Sequence, residues 1–181
     1  MSKGIIIFGA SGSGTSTIGR ALAQELGFTH FETDDFSTVK TPIPFTVSRS
    51  LAERIALLQA AISDCSGFVI SGSMWDWSEP FLPHFDLAVF VTAPTDIRIA
   101  RLEMREQEQY GNRICKGGDM YENHCKFIAW SKTYDTDNPD RSLQLHEQWI
   151  TTLPCPVLRI DGTMSVTENV AQIAAQYKME E

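Results

Sequence analysis

Residues 5–18 read Ile-Ile-Ile-Phe-Gly-Ala-Ser-Gly-Ser-Gly-Thr-Ser-Thr-Ile, and this stretch decides the fold. Its first four residues are β-branched or aromatic without interruption, which is typical of a strand buried on both faces in a parallel sheet. A glycine-rich turn follows, and apolar residues then recur at helical spacing as far as Leu26, just before Gly27. We therefore predict a buried strand, a tight turn and an amphipathic helix in direct succession.

The rest of the chain repeats this alternation of strand and helix. Four further strands are predicted at residues 28–33, 68–70, 87–91 and 157–160. Five further helices are predicted at residues 48–63, 95–109, 119–134, 141–150 and 166–177. Strands that alternate with helices form βαβ units with right-handed crossovers and a parallel sheet. We expect one α/β domain over residues 1–181.

Charge and composition restrict the classes of partner. The chain of 181 residues carries a formal net charge of −8, which disfavours nucleic acid as a partner because phosphate backbones need a basic surface. No apolar run is long enough for a signal peptide or a membrane span, so we expect no membrane partner and a cytoplasmic location. The four cysteines are widely spaced, which favours reduced thiols, and a zinc site at Cys115, His124 and Cys125 is a minor alternative.

The glycine-rich turn, residues 9–16, follows the pattern G-x-x-x-x-G-K-[ST] except for its lysine. In that pattern the glycines let successive backbone amides point inward, where the amides and the helix N-terminus hold phosphate groups. Ser16 would place its hydroxyl on magnesium. The predicted nucleotide-binding residues of this segment are Gly9, Ser11, Gly12, Ser13, Gly14, Thr15, Ser16 and Thr17. The alternative is a glycine-rich turn that binds no ligand.

Thr15 stands where the pattern has lysine. That lysine normally brings positive charge to the β- and γ-phosphates, whereas a threonine hydroxyl offers a hydrogen bond and no charge. Three alternatives follow: another cation enters the site, transfer is slow, or the protein only binds nucleotide.

The loop, Thr33-Asp34-Asp35 and residues 101–119 carry a resemblance to a known group of enzymes. The chain resembles the small P-loop kinases of the adenylate kinase and shikimate kinase group, most closely bacterial adenylate-kinase-like proteins with a lysine-free G-A-S-G-S-G-T-[ST]-T loop. The resemblance implies a three-layer P-loop NTPase fold with a five-stranded parallel sheet of order 2-3-1-4-5. It also implies an acceptor-binding segment at about residues 36–64, a small lid at about residues 105–120, and ATP or ADP with Mg²⁺ as cofactors.

Candidate acceptor-binding residues follow the second and third predicted strands. By resemblance, a carboxylate at Asp34 or Asp35 contacts the acceptor hydroxyl or orients magnesium, and strand alternation favours Asp34. A pair of aspartates that caps the next segment is the alternative. After the third strand, Gly72 allows close backbone approach, and Trp75 offers a flat surface for a base or an apolar group, with core packing as its alternative.

Arg49 and Arg54 flank the start of the helix that, by resemblance, closes over the acceptor. Arginine binds planar oxyanions through paired donors, so a phosphate or carboxylate on the acceptor would suit these side chains. Solvated charges on a helix surface are an equally good account of either one.

Arginines also lead into the predicted lid. Arg98, Arg101 and Arg105 share one helical face, and Arg113 and Lys116 follow in a glycine-bounded loop. By resemblance Arg101 and Arg105 are lid arginines, and we expect Arg101, Arg105 and Arg113 to stabilise charge on the transferred phosphoryl group. The alternative is a solvated helix whose arginines pair with neighbouring glutamates.

Asp161 and Gly162 end the fifth predicted strand. By resemblance this turn holds the adenine of the donor, while an ordinary β-turn before a helix explains the same residues.

Together these features predict ATP-dependent phosphoryl transfer to an unidentified small-molecule acceptor. A nucleotide-binding or sensing protein and a slow nucleoside triphosphatase remain alternatives. We expect a monomer or a homodimer.

Overall fold

The computed structural model describes residues 3–136 and 138–180. Its five strands pair in parallel in one sheet of order β2-β3-β1-β4-β5, which confirms the order that the resemblance implies. The strands are β1 (Lys3–Gly9), β2 (Thr29–Glu32), β3 (Gly67–Ser71), β4 (Phe85–Thr92) and β5 (Val157–Asp161).

Seven α-helices lie between the strands or after the last one in the described part of the chain. They are α1 (Thr15–Leu26), α2 (Thr33–Ser37), α3 (Leu51–Ser63), α4 (Thr95–Tyr110), α5 (Tyr121–Lys132), α6 (Leu143–Ile150) and α7 (Val166–Glu180). Three short 3₁₀ turns lie at Glu79–His84, Gly111–Ile114 and Thr133–Asp135. The six predicted helices are present, and α2 is an addition.

The start of α3 differs from the predicted start, and a capping box explains the difference. The Ser50 hydroxyl accepts a hydrogen bond from the Glu53 amide at 3.3 Å, and the Glu53 carboxylate accepts one from the Ser50 amide at 2.9 Å. This reciprocal pair satisfies amides that have no partner inside the helix, so α3 begins at Leu51 rather than near residue 48.

Alternation along β1 divides the core into two clusters, one on each face of the sheet. Ile5 and Ile7 pack with residues of α1 and α7, whereas Ile6 and Phe8 pack with residues of α3 and α6. All four side chains are completely buried. A sheet covered by helices on both faces is the three-layer arrangement predicted from the resemblance.

Because all five strands are parallel, their carboxyl ends lie along one edge of the sheet, where ligands of open α/β folds bind. The glycine loop follows β1, Asp34 follows β2 and Gly72 follows β3 at this edge. Among the described helices, none is both long and apolar enough to cross a membrane.

Candidate functional site

The loop between β1 and α1 presents unpaired backbone donors. Gly14, with a φ of +108°, is the N-cap of α1 and provides no side chain to cap the helix. Among residues 3–136 and 138–180, the amides of Thr15 and Ser16 have no hydrogen-bond acceptor, and both residues line a cavity. Free amides at the positive end of a helix form a site for an anion such as phosphate.

Two arginines of α4 fix the peptide groups of this loop. The Arg98 guanidinium, with 1% of the residue exposed, donates to the Ser11 carbonyl at 3.3 Å. Arg101 donates to the Gly12 carbonyl at 3.4 Å and to the Gly162 carbonyl at 3.0 Å. Because carbonyl and amide of a peptide group point in opposite directions, holding these carbonyls helps to set the direction of the loop amides.

Gly12 allows α4 to pack directly on the loop. Its φ is +82°, and a Cβ atom placed on it would lie 2.5 Å from the Arg98 carbonyl oxygen. Any other residue would meet both backbone strain and a backbone clash at this position.

Ser16 and Glu32 bring two oxygen ligands together beside the loop. The Ser16 hydroxyl donates to the Glu32 carboxylate at 2.8 Å. Burial raises the pKa of Glu32, and the hydrogen bond from Ser16 and the charge of Arg20 oppose this shift. A hydroxyl and a carboxylate at one wall of an open cavity fit Mg²⁺, which usually takes few protein ligands and fills its shell with water and phosphate oxygens.

Glu32 was not predicted, although its place at the end of β2 and next to the aspartate pair was a usable signal. In the described residues no group of three or more His, Cys, Asp or Glu side chains is placed to hold a metal ion. The alternative zinc site therefore has no support, and His124 instead forms a hydrogen-bonded pair with Glu106.

The main cavity has a volume of about 690 Å³. The predicted residues that it brings together are Gly9, Ser11, Gly12, Thr15, Ser16, Asp34, Gly72 and Arg105. Its other walls include unpredicted residues, among them Glu32, Phe45, Tyr110, Lys126, Phe127, Trp130 and Arg141.

Arg141 lines this cavity and also a smaller one. Its guanidinium lies 5.3 Å from the centre of the Trp130 ring, a distance at which a cation is attracted to the face of an aromatic ring. Burial lowers the pKa of Arg141, and the charges of Asp34 and Asp76 oppose that shift. Within the described chain no side-chain hydrogen bond of Arg141 is found, so its donors are open to a ligand.

The smaller cavity, of about 180 Å³, adjoins the main one and shares Asp34, Trp130, Asp140 and Arg141 with it. Arg54 and Trp75, two of the predicted acceptor-binding residues, line it. The Trp75 indole donates to the Asp140 carbonyl at 3.1 Å. Trp77 also lines it but is 4% exposed, so core packing accounts for most of its surface.

The two aspartates have different environments because residues 33–37 form helix α2 rather than extended strand. Asp34 lines both cavities and Asp35 lines neither. The preference for Asp34 agrees with this placement, but its reason, strand alternation, was wrong.

Arg49 lines neither cavity. Its guanidinium donates to the carbonyls of Asp35 at 2.8 Å and Phe36 at 3.2 Å, and also to the carbonyl of Thr38. Arg49 therefore stabilises the C-terminal end of α2. The structure corrects the prediction that its side chain faces the acceptor-binding site.

The predicted arginine row does not converge on the cavity. Arg98 is buried, and Arg101 joins the loop to the β5–α7 turn. Arg113 forms a 2.8 Å ion pair with Asp119 and donates to the Pro42 carbonyl at 2.8 Å. Of the predicted row only Arg105 lines the cavity, and no partner for it is found in the described residues. Lys116 lines neither cavity.

Asp161 and Gly162 pack beside the loop rather than in either cavity. The Asp161 carboxylate accepts from the amide and the hydroxyl of Thr163, both at 2.7 Å, which is the β-turn alternative. A Cβ on Gly162 would lie 2.2 Å from the Ser13 carbonyl oxygen. Ser13, Gly14 and Thr17 also lie outside the cavity lining, and Ser13 is fully buried.

Known proteins are similar to this chain in sequence or in fold. The family model described as AAA domain matches residues 5–126. The uncharacterized protein YqaC of Bacillus subtilis (strain 168) is 40% identical over 174 residues, which are 96% of each chain. Shikimate kinase from Acinetobacter baumannii, in complex with shikimate, superposes with a TM-score of 0.55 at 14% identity over 99% of this chain and 94% of its own. Deoxyadenosine kinase from M. mycoides superposes with a TM-score of 0.51 at 14% identity, over 97% of this chain and 99% of its own. At such identity these two structures show a common fold.

Proposed function

The chain belongs to the AAA domain family, and from this premise we propose that it is an ATP-dependent kinase that phosphorylates a small molecule. The observation that carries the proposal is the pair of unpaired amides, Thr15 and Ser16, at the N-terminus of α1 in a cavity of about 690 Å³. A volume of this size accommodates a nucleotide together with a small acceptor.

The nucleotide phosphates bind to the loop amides in this proposal. Ser16 and Glu32 would hold Mg²⁺, and the charge of the ion would reduce the repulsion between the phosphate oxygens and an attacking oxygen. Arg98 and Arg101 keep the loop in the binding conformation without touching the nucleotide.

Asp34 is the group that we assign to the acceptor hydroxyl. It lines both cavities, so it lies where a molecule in the smaller cavity meets phosphates in the main one. Asp34 orients the hydroxyl and takes its proton as the acceptor oxygen attacks the γ-phosphorus and the bond to the ADP oxygen breaks.

Two cations compensate for the absent lysine at position 15. Arg105 and Lys126 come from α4 and α5, both line the main cavity, and neither has a partner in the part of the chain that the structure describes. Their charge stabilises the transferring phosphoryl group, which favours a kinase over a protein that only binds nucleotide.

The smaller cavity binds the acceptor. Arg54 and Arg141 contribute guanidinium groups there, and Trp75 contributes a flat apolar wall. Paired guanidinium donors suit a carboxylate or a phosphate, so the acceptor carries an oxyanion as well as a hydroxyl.

A screen of hydroxylated carboxylates and phosphate monoesters, with ADP release as the signal, tests this function. We expect at least one compound to stimulate ADP release in wild type, and Asp34→Asn to abolish the stimulation without loss of nucleotide affinity. The uncharged Thr15 favours a second candidate, a nucleotide-binding or sensing protein. That candidate is correct if ATP and Mg²⁺ bind but no acceptor in the screen stimulates ADP release.

A further inference from the structure

Three polar side chains form a buried hydrogen-bonded chain that ends at the smaller cavity. His146, which is fully buried, lies 2.8 Å from the Ser73 hydroxyl through Nε2 and 2.7 Å from the Tyr134 hydroxyl through Nδ1. The imidazole packs against the rings of Phe8 and Trp149. Ser73 lines the smaller cavity and is 8% exposed. The sequence pattern did not indicate these hydrogen bonds, because Ser73, Tyr134 and His146 come from different segments.

The imidazole of His146 is neutral. Burial lowers its pKa to about 3, the nearby charge of Arg141 lowers it too, and only Glu147 acts in the opposite direction. At the Tyr134 end of these hydrogen bonds, the Arg98 guanidinium lies 5.2 Å from the centre of the tyrosine ring. A neutral imidazole has one nitrogen that donates and one that accepts, so the two neighbours of His146 must play opposite roles.

The Tyr134 hydroxyl decides which nitrogen carries the proton. Burial raises the pKa of Tyr134, so its hydroxyl keeps its hydrogen, and within residues 3–136 and 138–180 that hydroxyl has no partner except His146. A buried hydroxyl that donates to nothing is unfavourable, so Tyr134 donates to Nδ1. The proton of His146 is then on Nε2, which donates to the Ser73 oxygen. Ser73 therefore accepts from His146 and has its own hydrogen free.

We propose that Ser73 is an oriented hydrogen-bond donor of the smaller cavity, held by His146 and Tyr134, that binds an oxygen of a carboxylate or phosphate group beside Arg54 and Arg141. One of the two lone pairs of the Ser73 oxygen accepts from Nε2–H, and the hydroxyl hydrogen stays available to an oxygen of a ligand. The Ser73 hydrogen and the guanidinium groups of Arg54 and Arg141 together favour an oxyanion at this position over an ammonium group. The identity of this ligand as the phosphate acceptor rests on the proposed function, whereas the donor role of Ser73 does not.

The tautomer of His146 tests the first step directly. In wild-type protein labelled with ¹⁵N-histidine, long-range ¹H–¹⁵N spectra distinguish the two neutral tautomers and the cation. We expect His146 to remain the Nε2–H tautomer from about pH 5.5 to about pH 8.5, the interval in which an unperturbed histidine would titrate. An Nδ1–H tautomer, or titration within this interval, would overturn the proposal.

Binding of two probes tests the second step. Inorganic phosphate and acetate are titrated separately in the same spectra, with the Nε2 signal of His146 reporting the smaller cavity rather than the glycine loop. We expect phosphate or acetate to shift this signal, and Ser73→Ala to weaken that probe by about fivefold or more, the effect of losing a hydrogen bond to a charged group. The matched control, Ser37→Ala, removes a hydroxyl that lines the same cavity without a hydrogen-bonded support, and we expect a smaller loss.

Equal affinity of wild type and Ser73→Ala for both probes would contradict the donor role. The tautomer and the probe affinities do not depend on phosphoryl transfer. If both agree with expectation while the acceptor screen fails, the kinase proposal falls and the oxyanion site at Ser73 remains.

Discussion

The Ser16 hydroxyl donates a 2.8 Å hydrogen bond to the carboxylate of Glu32, joining the first turn of α1 to the end of β2. This contact connects the phosphate loop with the segment that carries Asp34. The Glu32 carboxylate is partly buried and lies near Asp34 and Asp35, and both conditions raise its pKa, whereas the hydrogen bond from Ser16 lowers it. A carboxylate kept in such a place at a cost in stability is typical of a functional site.

Glu32→Gln should make the protein more stable at high pH and weaken its binding of ATP in the presence of Mg²⁺. Because the pKa of Glu32 is raised in the folded protein, its contribution to stability is present below the unfolded pKa and is lost as pH rises through the folded pKa. The variant should therefore be more stable than wild type at about pH 8 and not at about pH 4.5, measured by urea unfolding without ligands. It should also bind ATP more weakly than wild type with Mg²⁺ present, and equally well in EDTA. A stability difference that is the same at both pH values would contradict the assignment.

Thr15→Lys should restore the charge that the loop lacks. We expect triphosphate binding to tighten by about 1–3 kcal/mol, the range for a hydrogen bond to a charged group, with a smaller gain for ADP. Calorimetric titration of wild type and variant measures this difference. Unchanged affinity would mean that Arg105 or Lys126 already occupies the position of the lysine side chain.

Arg105→Ala and Arg113→Ala should have different effects. Arg105 lines the main cavity, so its loss should lower turnover by about 10²-fold with little change in nucleotide affinity, as for other preorganised electrostatic groups. Arg113 instead joins Asp119 and the Pro42 carbonyl, so its loss should lower turnover much less. Steady-state rates with an acceptor from the screen, or the background hydrolysis of ATP, compare the two variants. Equal losses would show that Arg113 enters the site on closure.

Arg98→Met should destabilise the protein by about 3 kcal/mol or more, because several buried acceptors lose their donor. The guanidinium donates to the carbonyls of Ser11, Ala93 and Ser131 at 3.2–3.3 Å and to Asp135 at 3.0 Å. Urea unfolding measures the change. Arg105→Ala is the control, for which we expect a change within about 0.5 kcal/mol because that side chain is exposed. If Arg98→Met lowered the free energy of unfolding no more than Arg105→Ala does, the stabilising role of Arg98 would be contradicted.

The sequence was sufficient for the strands and the glycine loop because the signals for both are local, whereas the strand order was implied by the resemblance. The run of apolar residues in β1 and the spacing of the loop glycines lie within fourteen consecutive residues, 5–18. The site was only partly predictable, since its other side is assembled from distant segments. In the sequence Arg98 is one of three arginines on a helix face, and only the packing of α4 on the glycine loop buries it.

Arg141 and Trp130 illustrate the same limit for the acceptor side. They are eleven positions apart, on either side of a turn, and neither belongs to a motif. Their contact depends on the conformation of the connection between α5 and α6, which hydrophobic periodicity does not specify. The two cations that we propose in place of the lysine, Arg105 and Lys126, likewise could be identified only from the tertiary placement of α4 and α5.

The most direct test of the central claim is calorimetric titration of the wild-type protein with ATP and with ADP at millimolar concentration in the presence of Mg²⁺, together with the shift in melting temperature. We predict saturable binding of one nucleotide per chain, thermal stabilisation by both nucleotides, and weaker ATP binding when Ser16 is replaced by alanine. Absence of both heat and thermal stabilisation would contradict the account, because the unpaired amides of Thr15 and Ser16 would then bind no nucleotide phosphate.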